Sequence, residues 1–146
     1  MTAFDELYQE IILDHSRSPR GAADLSRLPD SLVVENPTCG DSIKLEVELD
    51  AGGTISALRF DAKGCAISTA SASLLFEGLV GMRSAEAREH AESFIAALRG
   101  DLPLDTLDEM GDIVALKGVA AYPQRVKCAT LAWHAFLGAL ERAEAR

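Results

Sequence analysis

Two neighbouring stretches decide the fold: SIKLEVELD at residues 42–50 and ISALRFDA at residues 55–62. In the first, Ile43, Leu45, Val47 and Leu49 alternate with Lys44, Glu46, Glu48 and Asp50, the period of two that turns one face of a strand to a core and the other to water. In the second, Leu58 and Phe60 share a side. Ala51-Gly52-Gly53-Thr54 between them reads as the tip of a hairpin. Upstream, LVVEN at 32–36 has strand composition and is separated from the hairpin by the turn Asn36-Pro37-Thr38-Cys39-Gly40-Asp41. Three antiparallel strands follow from these segments.

Outside this block the period is helical. Phe4, Leu7, Tyr8, Ile11 and Ile12 form one face of a helix over 4–15, with Thr2 as its cap and Asp5 three residues on. Pro19 and Gly21 stop it near Ser18, and an irregular stretch runs to Asp30. Ala66 to Leu79 is a second helix, rich in Ala and Ser on one side with Leu74, Leu75 and Leu79 on the other, closing at Gly81. Ser84 is the expected cap of a third, whose apolar face is Ala87, Ala91, Phe94, Ile95 and Leu98 and which ends at Gly100. Short helical pieces separated by Pro and Gly lead to a last helix from about Pro123, with Val126, Ala129, Trp133, Phe136, Leu137 and Leu140 on one face. Strands first and helices after predict an α+β fold, a small three-stranded antiparallel sheet with helices packed on one face.

The chain has 146 residues, 48% hydrophobic and 25% charged, with 14 Lys plus Arg against 23 Asp plus Glu and a formal charge of -9. With no repeat, low-complexity tract or Gly/Ser linker, a single domain over 1–146 is expected. The acidic balance argues against nucleic acid or an anionic membrane as the main partner. No apolar run approaches the roughly 20 residues of a spanning helix, and MTAFDELYQE lacks a signal pattern, so the cytoplasm is the expected address.

Three cysteines, an odd number, cannot all pair within one chain. Cys39 lies in a Gly-containing turn, Cys65 at a Gly-to-helix junction and Cys128 early in the last helix beside Arg125 and Lys127. Helix N-termini and nearby cations favour thiolate over thiol. Gly40 lets the chain turn so that Cys39 and Asp41, two apart, aim at one point. Three thiolates and one carboxylate suit tetrahedral zinc or an iron-sulfur cluster, and ligand softness does not choose between them. Arg125 and Lys127 are the local counterweights to such a site's negative charge. The alternative is that these are small core hydrophobes, since no CxxC pair is present and the spacings of 26 and 63 residues match no zinc-finger pattern.

NPTCGD at 36–41, GCAIS at 64–68 and RVKCATLAW at 125–133, with LDH and SPRG between 13 and 21, resemble the SufU branch of the IscU/NifU-like iron-sulfur assembly proteins. The likeness spans nearly the whole chain and implies a SufE/NifU-like α+β fold, with Cys39, Asp41, Cys65 and Cys128 as metal ligands. Scaffold members of the superfamily carry a His immediately before the last Cys and an LPPVK-type chaperone-recognition stretch. Here Lys127 stands in the His position, Tyr122-Pro123-Gln124-Arg125-Val126 replaces the stretch, and the segment between Cys65 and Cys128 is longer. The resemblance therefore implies a zinc-bound sulfurtransferase that takes persulfide sulfur from a SufS-type cysteine desulfurase onto Cys39, for a downstream iron-sulfur assembly scaffold. An IscU-like scaffold carrying a transient iron-sulfur cluster and a non-catalytic zinc-stabilised adaptor are the alternatives.

Four further positions have a structural reading. His15 is expected to be a helix-end histidine satisfied locally, His90 and His134 to lie on solvated faces, and Trp133 to belong to the core. The acidic runs EVELD and DTLDEMGD read as solvated.

Overall fold

A computed structural model describes residues 3–26, 32–36 and 40–145, with the backbone alone for 3–5 and 32–36. Thr2, residues 27–31 and the turn residues Pro37, Thr38 and Cys39 lie outside the described residues. Helix α1 (Ala3–Arg17) ends just ahead of Ser18-Pro19, where the residue before proline is pushed out of helical geometry. Strands β1 (Leu32–Asn36), β2 (Asp41–Leu49) and β3 (Ile55–Lys63) form an antiparallel sheet in the order β1-β2-β3. Its register sets Leu45 opposite Phe60 and Val47 opposite Leu58. All four side chains are buried, as are Ile43 and Ile55, and each such burial contributes about 1.5–3 kcal/mol. The opposite face is polar: Arg59 donates to Glu46 at 2.8 Å and to Glu48 at 2.7 Å across the strands.

The strand period also places the first residue of β2. Asp41 shares the buried side of Ile43, Leu45 and Val47, so alternation alone carries a carboxylate into the apolar layer. The chain after α1 is less irregular than its sequence suggests. Ala22 makes a parallel bridge to Phe60, with Ala23 N–H donating to Phe60 C=O at 2.8 Å.

Helices α2 (Ala66–Leu79), α3 (Ser84–Arg99) and α4 (Pro123–Glu144) follow, with 3₁₀ segments Leu104–Glu109 and Gly111–Ala121 between the last two. α4 lies across β1 and β2, α2 lies against β3, and α1 covers α2. α2 is consequently buried on its Ala/Ser side as well as its Leu side, including Ser68, Ser71 and Ser73. Small residues let neighbouring backbones approach, and buried hydroxyls need partners. Ser71 donates to the Ala129 carbonyl of α4 at 2.5 Å and accepts from Trp133 Nε1 at 2.9 Å, and Trp133 stacks on Phe94 with ring centroids 4.0 Å apart.

Ser84 does not cap α3. The cap is Arg83, with no side-chain capping bond, and Ser84 N–H donates to the Gly53 carbonyl at 2.9 Å. The hairpin tip thus satisfies the first orphan N–H of the helix, that of Ser84 itself. His15 is corrected too. Instead of a local partner it reaches α2, with Nδ1 2.6 Å from Ser73 Oγ and Nε2 3.1 Å from Glu77. The acidic runs are largely paired with cations, Glu46 and Glu48 with Arg59 and Asp105 and Asp108 with Lys117.

Candidate metal centre

Three elements converge on one point. Asp41 opens β2 after Gly40, whose φ of 76° is a left-handed conformation that glycine adopts without strain. Cys65 is the N-cap of α2, in extended geometry with φ -77° and ψ 169°. Cys128 lies on the second turn of α4, on the buried side that faces α2. One donor atom from each of Asp41, Cys65 and Cys128 lies within 4.8 Å of the other two.

The carboxylate is the hub. Asp41, only 4% exposed, accepts the Cys65 backbone N–H on Oδ1 at 3.2 Å. Its Oδ2 accepts the Ser68 hydroxyl at 2.5 Å and the Cys65 thiol at 3.3 Å. Buried in this way, a carboxylate is tolerable because it sits at the N-terminus of α2, where unpaired N–H groups and the helix dipole favour negative charge. Ser68 Oγ lies 3.3 Å from the Cys128 carbonyl and 3.6 Å from Cys65 Sγ, so one hydroxyl touches all three donor residues. Gly64 is equally specific. A Cβ added there would stand 2.3 Å from Asp41 Oδ1, far inside contact distance.

The donor set fits a thiophilic metal. Zinc bound at about 2.3 Å to sulfur and 2.0–2.2 Å to oxygen holds its ligand atoms roughly 3.5–3.8 Å from one another. The observed spacing needs only a small contraction, with the hydrogen bond from Cys65 thiol to Asp41 giving way to coordination. A fourth position remains for a further ligand. Cys39, the sequence's candidate for it, lies outside the described residues.

The two basic residues expected beside the site part company. Arg125 lines a cavity of about 710 Å³ together with Cys65, Tyr8, Ile12, Val119 and Tyr122, and it has no ion pair among the described residues. Lys127 points to another side of α4, into a groove that does not include Cys65. Consecutive helix positions differ by about 100°, so residues two apart diverge. His15, His90 and His134 are not among the clustered donors. Ser68 and Gly64 belong to the GCAIS segment but not to the expected ligand set. Ser68 stands three residues after Cys65, which in a helix means the same face, and that spacing was the available signal.

A helix-covered antiparallel sheet gathers two thiols and a carboxylate from a strand, a helix start and a second helix, and this class of arrangement is a candidate site for a thiophilic metal ion. Residues 7–129 match the NifU-like N terminal domain family. The chain is 41% identical over 133 residues, 90% of its own length and 87% of the relative's, to the zinc-dependent sulfurtransferase SufU of Bacillus subtilis (strain 168). It is 36% identical over 142 residues, 97% of its length and 87% of the relative's, to the iron-sulfur cluster assembly scaffold protein IscU of Streptococcus pyogenes serotype M1. The N-terminal part of a nitrogen-fixing NifU-like protein from Brucella abortus shares its fold, with a TM-score of 0.79 at 20% identity over 99% of each chain. The chain belongs to the NifU-like N terminal domain family, as a SufU-type relative of the IscU proteins. Among the described residues no helix is long and apolar enough to cross a membrane.

Proposed function

We propose that this protein is a zinc-dependent sulfur carrier that accepts persulfide sulfur from a SufS-type cysteine desulfurase and passes it to iron-sulfur cluster assembly in the cytoplasm. The observation that carries the reading is the convergence of Asp41, Cys65 and Cys128, with donor atoms within 4.8 Å of one another, in a chain 41% identical to a zinc-dependent sulfurtransferase. Cys39, Asp41, Cys65 and Cys128 are the proposed ligands within a single SufU/IscU-like domain spanning 1–146. Zinc, when bound, keeps thiols deprotonated and, having no redox chemistry of its own, shields them from oxidation.

The chain's own residues do the rest. Cys39 as thiolate attacks the terminal sulfur of the desulfurase persulfide; the new S–S bond forms on Cys39, the old one breaks, and the desulfurase cysteine leaves as thiolate. Sulfur moves without net oxidation or reduction. Ser68 and the Cys65 N–H hold the Asp41 carboxylate in place meanwhile. Arg125, at the mouth of the cavity beside Cys65, offsets the thiolate charge.

The test is desulfurase turnover with the zinc-loaded and metal-stripped protein side by side. A gain in turnover present only with the loaded protein and abolished by Cys39→Ala supports transfer; no gain from the intact protein refutes it. The 36% identity to an IscU scaffold over 97% of the chain favours one other reading, a transient cluster scaffold. Protein purified without chelator decides between them, about one zinc per chain and no visible absorbance against labile iron, sulfide and a brown colour.

A further inference from the structure

Two grooves of opposite sign flank the ends of α4. Near its C-terminus, Glu48, Asp50 and Glu144 line one groove, as befits a chain of charge -9. Near its N-terminus the other, about 450 Å³, is lined by Arg99, Lys127 and His134 over an apolar floor of Leu98, Val126 and Pro123, with no carboxylate among its described lining residues. Elsewhere several cations are engaged by the chain's own carboxylates: Arg20 with Asp14, Arg59 with Glu46, Arg88 with Glu144 and Lys117 with Asp108. Those in the groove are not so engaged. Arg99 reaches Asp101 only at 3.9 Å with both side chains more than 60% exposed, and Lys127 has no ion pair among the described residues.

We infer that this groove is the docking surface for an acidic segment of a partner protein, the desulfurase under the function proposed above. Lys127 and His134 lie seven residues apart on α4, about 10 Å along its axis, and Arg99 flanks His134 from the end of α3. Lys127 as a cation and His134 as an N–H donor at that spacing match carboxylates about two helical turns apart on a partner helix. The apolar floor takes the methylene stems between them. Because Lys127 adjoins Cys128 in sequence yet its groove does not include Cys65, a segment held here leaves Cys65 uncovered across the first turns of α4. Binding energy realised away from the Asp41, Cys65 and Cys128 cluster can thus hold a partner without covering that cluster. His134 is an internal reporter: burial first, and Arg99 second, hold its imidazole below its ordinary value, and incoming carboxylates would oppose both.

The experiment measures direct binding of a SufS-type desulfurase to the zinc-loaded protein, and desulfurase turnover against carrier concentration, for wild type, the double variant Arg99→Glu/Lys127→Glu and the control Arg142→Glu. Arg142 is exposed at the far end of the same helix. The expected result is a roughly tenfold weaker Kd and a similar rise in half-saturating concentration for the double variant, larger than any fall in the plateau. Zinc content should be retained, the control should resemble wild type, and the wild-type advantage should shrink at high salt. Equal affinities for double variant and wild type overturn the assignment. If wild type binds the desulfurase but does not stimulate it, the sulfur-carrier reading fails while the docking surface stands or falls on the binding data alone. If no binding is seen, a hexaglutamate peptide followed by the His134 imidazole resonances decides. A shift absent from the double variant supports the groove, whereas no shift, or an equal shift from inorganic phosphate at matched charge, overturns an acidic segment as its occupant. Concentration-dependent dimerisation lost in the double variant would assign the groove to a second copy instead and equally overturn it.

Discussion

Gly64→Ala tests how the candidate site is built, because the substitution adds one methyl and nothing else. Gly64 is not among the positive-φ glycines, so alanine brings no backbone strain. The new Cβ would lie 2.3 Å from Asp41 Oδ1, 2.4 Å from Cγ and 2.8 Å from Cβ, and the carboxyl must retreat by about 1 Å to reach ordinary contact. That retreat stretches the 3.2 Å bond from Cys65 N–H past hydrogen-bond range and strains the 2.5 Å bond from Ser68. Each charge-assisted bond is worth about 1.5–3 kcal/mol, returned in part as the displaced carboxylate regains water. A net loss of roughly 1.5–3 kcal/mol in metal binding follows, a 10- to 100-fold weaker zinc affinity. The assay is competition against a chromophoric chelator, with circular dichroism as the check on folding. A double-mutant cycle with Asp41→Ala isolates the cause: without the carboxylate, Gly64→Ala should cost almost nothing further. Full zinc affinity in Gly64→Ala, or an undiminished cost in the Asp41→Ala background, would refute the reasoning.

Ser68→Ala should weaken zinc about tenfold by chelator competition while leaving the thermal midpoint close to wild type in the metal-free protein, and Ser68→Thr should recover part of the loss. Cys65→Ala and Cys128→Ala should each lose most bound metal by elemental analysis; full occupancy in either would remove that residue from the ligand set. His15 is held below its ordinary value of 6.5, first by burial and then by Arg20, against the opposing pull of Glu77, Asp14 and Asp112. The folded chain therefore favours neutral His15, and the unfolded chain binds more protons between the lowered value and 6.5. This stability is fully present above about pH 6.5 and is lost as the pH falls through the folded value. The gap in urea midpoint between wild type and His15→Gln should accordingly narrow from pH 7.5 to pH 5. Trp133→Ala, which empties a fully buried site stacked on Phe94 and leaves the Ser71 hydroxyl without its donor, should cost about 3–5 kcal/mol by denaturant unfolding.

Much of this protein was legible in one dimension. The period of two at 42–50 located the strand and its buried face, because alternation is a local consequence of backbone geometry, whereas Asp41, expected in the preceding turn, is the first residue of the strand on that face. Proline and glycine marked the ends of α1 and α3 for equally local reasons. The motif segments pointed to Cys65, Cys128 and Asp41 as possible ligands, but nothing local says that residues 24 and 63 positions from Cys65 share one point with it. That is decided by α4 crossing the sheet beside α2. Only the tertiary structure revealed that Ser68 and Gly64 shape the carboxylate's seat, since both act through contacts distant in sequence. For the same reason Ser84 lies one residue inside α3 with its N–H on the hairpin tip, and His15 has its partners on α2. Arg125 and Lys127, two residues apart and of one charge, line different surfaces because a helix turns about 100° per residue. Sequence alone determined the elements, their buried faces and the chemistry available, because these depend on short-range geometry and residue type. Which side chains meet, and which cation faces which groove, was decided by the way the layers lie on one another.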